Sequence, residues 1–191
     1  HLILEKNVSP SEILALTFTE KATQEMADRL DESLPLEKGG VFVKTFHSFA
    51  EHVLRESGHE IGISPDFKIL SDADLWMFLK RNMEEFKLNY FRSLGNPFKF
   101  LNMLAQYFSR LQDEDILPEK YLEYAENLRT KTDEDKEIAE KHLELAQAYS
   151  IYKKLLDKND FTDFGGLLFN VLRLFEKRKS IDVHVNRSRN N

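Results

Sequence analysis

The chain has 191 residues, 41% apolar and 31% charged, with a net charge of −6 and no cysteine. This length is enough for one or two domains with a real core, and this balance excludes a disordered chain and one built on membrane-spanning apolar helices. Disulfides, thiolate metal sites and a cysteine nucleophile are excluded, and the acidic balance argues against binding polyanions by bulk charge.

The N-terminus, His1-Leu2-Ile3-Leu4-Glu5-Lys6, has no basic start, no long apolar stretch and no small-residue cleavage site, so it is not a signal peptide. It also lacks an initiator Met, and the chain is expected to begin inside a longer protein. A reducing cytoplasmic setting fits the cysteine usage. No membrane contact is expected.

In chain order, Ser9-Pro10-Ser11-Glu12 has the pattern of a capping box before a short helical turn. Ile13 to Phe18 is an apolar run suited to a buried parallel strand. Thr19 can cap the next helix, in which Ala22, Met26 and Leu30 share one stripe. Gly39-Gly40 reads as a loop and Val41-Phe42-Val43 as a second strand. Thr45 can cap a helix carrying Phe46, Phe49, Ala50, Val53 and Leu54 on one face, stopped by Ser57-Gly58. Strand–helix–strand–helix implies a parallel sheet, and two strands are too few to complete one. The missing strands are expected outside this sequence or from a neighbouring chain, with self-association through unpaired edges as a non-native risk.

From Ile61 the pattern becomes helical. Ser71-x-x-Asp74 opens one helix, Asn96-Pro97 another to about Gln112, and Leu117-Pro118 a third to about Leu128. Thr132 with Asp135 opens a long helix to about Asp157. The last begins at Asp160 or Thr162 and contains Leu167, Leu168, Val171, Leu172 and Phe175. The polar tail after Lys179 reads as frayed, or as a cloning or frameshift scar. Tyr107, Phe108, Tyr121, Tyr124 and Tyr149 read as core, and Asp113-Glu114-Asp115 and Asp133-Glu134-Asp135 as carboxylates at helix ends, which favour N-termini. The lone His52 and His59 have no partners at ligand spacing.

Two elements share one build, a strand ending in Thr-Phe that turns directly into a helix: Thr17-Phe18-Thr19 and Thr45-Phe46-His47-Ser48. Ligands of open α/β sheets bind beyond the carboxyl ends of the strands, where helix N-termini suit phosphates. Thr and Ser hydroxyls and His47 can donate to phosphate, and Phe can stack a base. On spacing alone, the plainer reading is favoured: Thr19 and Thr45 as N-caps, and Phe18 and Phe46 as core.

ILALTFTEKATQEMADRL, residues 13–30, resembles motif Ia of the UvrD/Rep-type helicases of superfamily 1, and VKTFHSFAEHVLRE, residues 43–56, resembles their motif Ib. DFGGLLFNVLRLF, residues 163–175, is similar to the DF-x-DL helix before that family's Walker B strand, and residues 66–124 resemble its helical insertion 1B. The resemblance covers roughly residues 8–178. It implies an α/β fold with a large helical insertion. Residues 1–60 would form a partial RecA-like (P-loop NTPase) subdomain 1A, residues 61–159 the helical 1B, and residues 160–191 a helix returning to 1A with a frayed tail.

The family's motors hydrolyse ATP with Mg²⁺ and step 3′ to 5′ along single-stranded DNA. Carried over, Thr17, Phe18, Thr19, Thr45, Phe46, His47 and Ser48 would line the single-strand track, and 1B would meet the duplex at a single/double-strand junction. The remaining helicase domains of the parent would be the other partners. The chain departs from the family in four respects. It has no G-x-x-x-x-G-K-[ST] phosphate loop and no D-E-x-x box after residue 179, so ATP and Mg²⁺ are implied for the parent and no cofactor for this piece, which is expected to be inactive alone. Glu20 stands where many relatives have Asn, placing a carboxylate near the track. Gly166 replaces an Asp, which implies a looser start to the last helix. The alternatives are a non-enzymatic DNA-binding or protein-interaction module, and a piece of a helicase–nuclease.

Overall fold

The computed structural model describes the backbone of residues 1–33 and 40–189, with side chains to residue 179. Gly39 of the expected loop and Asn190-Asn191 of the expected tail lie outside the described residues. The fold is mostly helical, with two short parallel pairings. No helix among the described residues is long and apolar enough to cross a membrane.

The α/β part follows the sequence pattern closely. Pro10–Glu12 forms a single 3-10 turn, held as the Glu12 carboxylate accepts the Ser9 N–H at 3.3 Å. Strand β1 (Leu14–Thr17) leads into helix α1 (Glu20–Ser33), and β2 (Phe42–Thr45) into α2 (Phe46–Ser57). The strands pair in parallel, Leu14 opposite Phe42 and Thr17 opposite Thr45.

Burial departs from expectation here. β1 is only partly covered, Leu14 is exposed, and α1 buries no residue. A parallel strand is fully buried only between neighbours and under helices on both faces, and among the described residues β1 has a single neighbour. The stripe of α1 therefore opens, through Met26 and Leu30, onto an apolar groove of about 430 Å³ shared with Leu2, Ile3, Leu4 and Ile13.

Ala50 and Leu54 of α2 pack against Phe67, Leu167 and Val171, with Ile61, Ile63 and Ile69 around them. Gly58 ends α2 in a right-handed conformation, and the left-handed turn falls instead at Gly62, with φ of 85°. That conformation suits a residue without Cβ.

The chain then enters the helical unit: α3 (Asp72–Arg81), α4 (Leu101–Asp113), α5 (Pro118–Glu126) and α6 (Asp133–Lys158). Ser71 caps α3, its hydroxyl accepting the Asp74 N–H at 3.2 Å, and Thr132 caps α6 with Asp135 in a reciprocal box. The Thr132 and Lys131 amides donate to Asp135 and hold its carboxyl below the usual aspartate range. Helix α4 starts five residues later than Asn96-Pro97 suggested. Asn96 Oδ1 accepts the Phe98 N–H at 3.1 Å, and this local turn consumes the segment that would have been the first helical turn. Asp113-Glu114-Asp115 lies at a helix end as expected, the C-terminal end of α4, which carboxylates favour less than an N-terminus; Asp115, at positive φ, pairs with Arg173.

The core of this unit is aromatic. Phe108 stacks on Tyr152 at 4.9 Å and leans on Tyr149 at 5.5 Å, with Leu79, Leu101, Leu104 and Leu156 closing around them. Tyr121 is buried beside half-buried Tyr107, but Tyr124 is 54% exposed. One turn on from Tyr121, it lies over that ring from the outside.

The sequence pattern did not reveal β3 (Lys68–Ile69) and β4 (Phe161–Thr162), which pair in parallel where the helical unit departs and returns. That pairing delays the last helix, α7 (Phe164–Arg189), past both of its expected starts. Two-residue strands carry too little pattern to read, since alternation needs at least four residues. The backbone of α7 stays helical through Arg189, where a frayed tail was expected after Lys179. Leu167, Val171 and Leu174 face inward, while Leu168, Leu172 and Phe175 lie exposed on the other side.

A loop without regular structure is pinned by one carboxylate. Glu144 of α6 accepts the backbone N–H groups of Asn89 (2.9 Å), Tyr90 (3.1 Å) and Phe91 (3.0 Å). Replacing Glu144 by Ala strands three amides beside a buried site. It is expected to lower the unfolding free energy in urea by about 3 kcal/mol; a change under about 0.5 kcal/mol would mean that water replaces the carboxylate there.

Candidate nucleic-acid interface

Register brings the two Thr-Phe corners together. With Thr17 opposite Thr45, the carboxyl ends of β1 and β2 lie side by side, and α1 and α2 both start there. The N–H groups of Glu20, Lys21, Phe46 and His47 begin these helices and have no intrahelical partner, so both helices present amides to the same edge.

The hydroxyls build the corners. Thr19 Oγ1 accepts the Ala22 N–H at 3.1 Å, and Thr45 Oγ1 accepts the Ser48 N–H at 3.1 Å, so both threonines are N-caps. Thr17 is buried, and its hydroxyl bonds to the Thr19 carbonyl at 3.2 Å and to the Thr23 hydroxyl. It fixes the corner from beneath. Thr45 is likewise buried, while Ser48 is half-buried.

The aromatic residues depart from the reading that spacing favoured. Phe18 is 87% exposed and Phe46 is 44% exposed, so neither is core. Half-buried His47 lies edge-on to Phe164, ring centroids 6.0 Å apart, and Phe164 is itself 51% exposed. Phe164 was not among the expected site residues. Its spacing from Leu167 and Val171 reads as the buried stripe of α7, but it sits in the first turn of the helix, past the end of the cluster those two complete.

Phe164 owes its place to the residues on either side. Asp163 is buried and accepts from the Gly166 N–H at 2.7 Å, from Gln112 of α4 at 2.9 Å and from the Tyr152 hydroxyl of α6 at 2.5 Å. It therefore caps α7 and ties that helix to the helical unit. Burial, with the Asp163 charge adding to it, pushes the Tyr152 hydroxyl well above its usual range, so Tyr152 stays a donor. Burial pulls the Lys153 ammonium down, opposed by Asp163 and Asp157; it donates to Gln112 at 3.2 Å. A Cβ at Gly166 would lie 2.5 Å from Thr162 Oγ1 and 2.6 Å from Asp163 Oδ1. Gly166 thus permits a close cap, contrary to the looser start inferred from its replacing Asp.

Glu20 joins the two corners. Its carboxylate accepts from Thr45 Oγ1 at 3.2 Å and from Ser48 Oγ at 3.4 Å, linking the start of α1 to the start of α2.

In open α/β sheets generally, ligands bind beyond the carboxyl ends of the strands, and helix N-termini there suit phosphates. Residues 1–190 match the UvrD/REP helicase N-terminal domain, and the chain belongs to that family. It is 29% identical over 178 residues to the ATP-dependent DNA helicase PcrA of Staphylococcus aureus strain Mu50, and 30% identical over the same length to that of Staphylococcus epidermidis strain RP62A. The match covers 93% of this chain and 22% of each relative, so the chain spans about a fifth of their length.

Proposed function

We propose that the chain is a piece of an ATP-dependent 3′–5′ DNA helicase and that its β1–β2 edge forms part of a single-stranded DNA track. In this reading α1, α2, α7 and the β1–β2 pair are a partial RecA-like subdomain 1A, and α3 to α6 are the inserted 1B, which meets the duplex at a junction. The observation that carries it is the exposure of Phe18 and Phe46 at matched strand ends. A large apolar ring left in water beside hydroxyl-capped helix starts offers a base its face and the backbone its amides. The relatives are ATP-dependent DNA helicases, which supports the same reading. Thr19, Ser48 and His47 flank the rings, while Thr17 and Thr45 hold the corners from below. The apolar groove beside α1 and the outer face of α7 are the surfaces that the parent's remaining domains would cover.

The net negative charge makes the contact local, carried by hydroxyls, amides and rings. Titration of the chain with fluorescent oligo-dT at low salt is expected to show binding that weakens as salt rises. Phe18→Ala and Phe46→Ala each remove a stacking face and are expected to cost about 1–3 kcal/mol of binding, with Phe18→Ala leaving unfolding within about 0.5 kcal/mol of the parent chain. Unchanged binding by both variants would remove the track from this edge.

ATP turnover belongs to the parent in this proposal, because this sequence contains neither a phosphate loop nor the acidic pair for Mg²⁺. A steady-state assay of the 191-residue chain with single-stranded DNA is expected to show no hydrolysis above background. DNA-stimulated turnover would contradict the assignment.

A further inference from the structure

Glu20 brings a carboxylate to an edge that offers hydrogen-bond donors to phosphate. Its Oε1 accepts from the hydroxyls of Thr45, 25 residues away, and Ser48, 28 residues away. Those hydroxyls lie 2.9 Å from each other, and Thr45 Oγ1 already accepts the Ser48 N–H. A hydroxyl has one proton to give. The protons of this pair therefore run toward the Glu20 carboxylate, either one from each hydroxyl or as a relay from Thr45 through Ser48. In neither arrangement is a proton left for a second anion.

The placement favours an anion for a second reason. Glu20 is the first residue of α1 and Ser48 lies in the first turn of α2, so the carboxylate sits where the positive ends of two helix dipoles meet. A DNA phosphate approaching the same amides and hydroxyls would find that position held by a charge of its own sign. Glu20 is exposed, and its side chain has room to swing into water.

We propose that Glu20 is a resident substitute for phosphate: in the free chain it occupies the Thr45–Ser48 hydroxyl pair, and a backbone phosphate of single-stranded DNA must displace it to bind there. Glu20 thereby sets the affinity of this edge below what its rings and amides would give. It also keeps the hydroxyls oriented while no DNA is bound. This inference rests on reading the edge as a DNA track.

Glu20→Gln keeps the shape and one acceptor oxygen and removes the charge. A hydrogen bond to a charged group is worth about 1 kcal/mol more than one to a neutral group, so the amide is displaced more easily and the variant is expected to bind oligo-dT about fivefold more tightly at low salt. Glu20→Asn is expected to shift affinity in the same direction, and circular dichroism melting confirms that each variant is folded. The gain should largely disappear in a Ser48→Ala background, because there the shared pair is already broken. Fluorescence anisotropy with labelled oligo-dT reads all four chains: parent, Glu20→Gln, Ser48→Ala and the double variant. Equal or weaker binding by folded Glu20→Gln overturns the proposal, as does an equal gain with and without Ser48, which would mark a through-space charge effect alone. If neither the parent nor Glu20→Gln binds DNA, the track reading fails and this inference fails with it. Binding by the parent without a gain in Glu20→Gln overturns the inference alone.

Discussion

The parallel register of β1 and β2 is the constraint on which the rest of the site depends. With Thr17 opposite Thr45, two short loops 28 residues apart in sequence become neighbours. A slip of one residue would turn each side chain to the opposite face. Thr17 would lose its place beneath the corner, and Glu20 would no longer reach Thr45 and Ser48. The caps at Thr19 and Thr45 then convert strand ends into helix starts with their amides directed outward, and Phe18 and Phe46 are left in water because no described element covers them.

The helical unit is fastened to this frame by polar contacts as well as apolar ones. Its two chain connections are stitched by β3 and β4, and Asp163 receives hydrogen bonds from α4, from α6 and from the first turn of α7. A buried carboxylate with several donors is costly to disturb, because removing it leaves every one of its donors unsatisfied. This cluster sets the start of α7 and hence the position of Phe164 beside His47. Orientation of the helical unit and shape of the candidate interface are thus coupled through one side chain.

Much of this was legible in the sequence, and the failures have physical reasons. Capped helices announced themselves: Ser71, Thr45 and Thr132 each head an element whose start the structure reproduces. The pairing of Thr17-Phe18 with Thr45-Phe46 as like corners was also readable, because repetition of the Thr-Phe turn is a local signal. Burial was not. Ala22, Met26 and Leu30 form the expected stripe, yet exposure depends on which neighbours are present, and pattern alone cannot supply a neighbour. β3 and β4 are too short to show alternation, and their pairing moved the start of α7. Asn96 competed for its own backbone and delayed α4. Glu20 and Gly166 were both read as departures from the family pattern; each makes contacts that only the three-dimensional neighbours reveal.

In the proposed function, single-stranded DNA lies across the two Thr-Phe corners. Ultraviolet crosslinking of an oligonucleotide carrying 5-iodouracil, followed by peptide mapping of the whole chain, tests it most directly, since crosslinks form at aromatic side chains in contact with the base. Crosslinks are predicted at Phe18, Phe46 or His47, with Phe164 beside them. Crosslinks confined to exposed aromatics of the helical unit, such as Tyr124 on α5 or Tyr90, would contradict it.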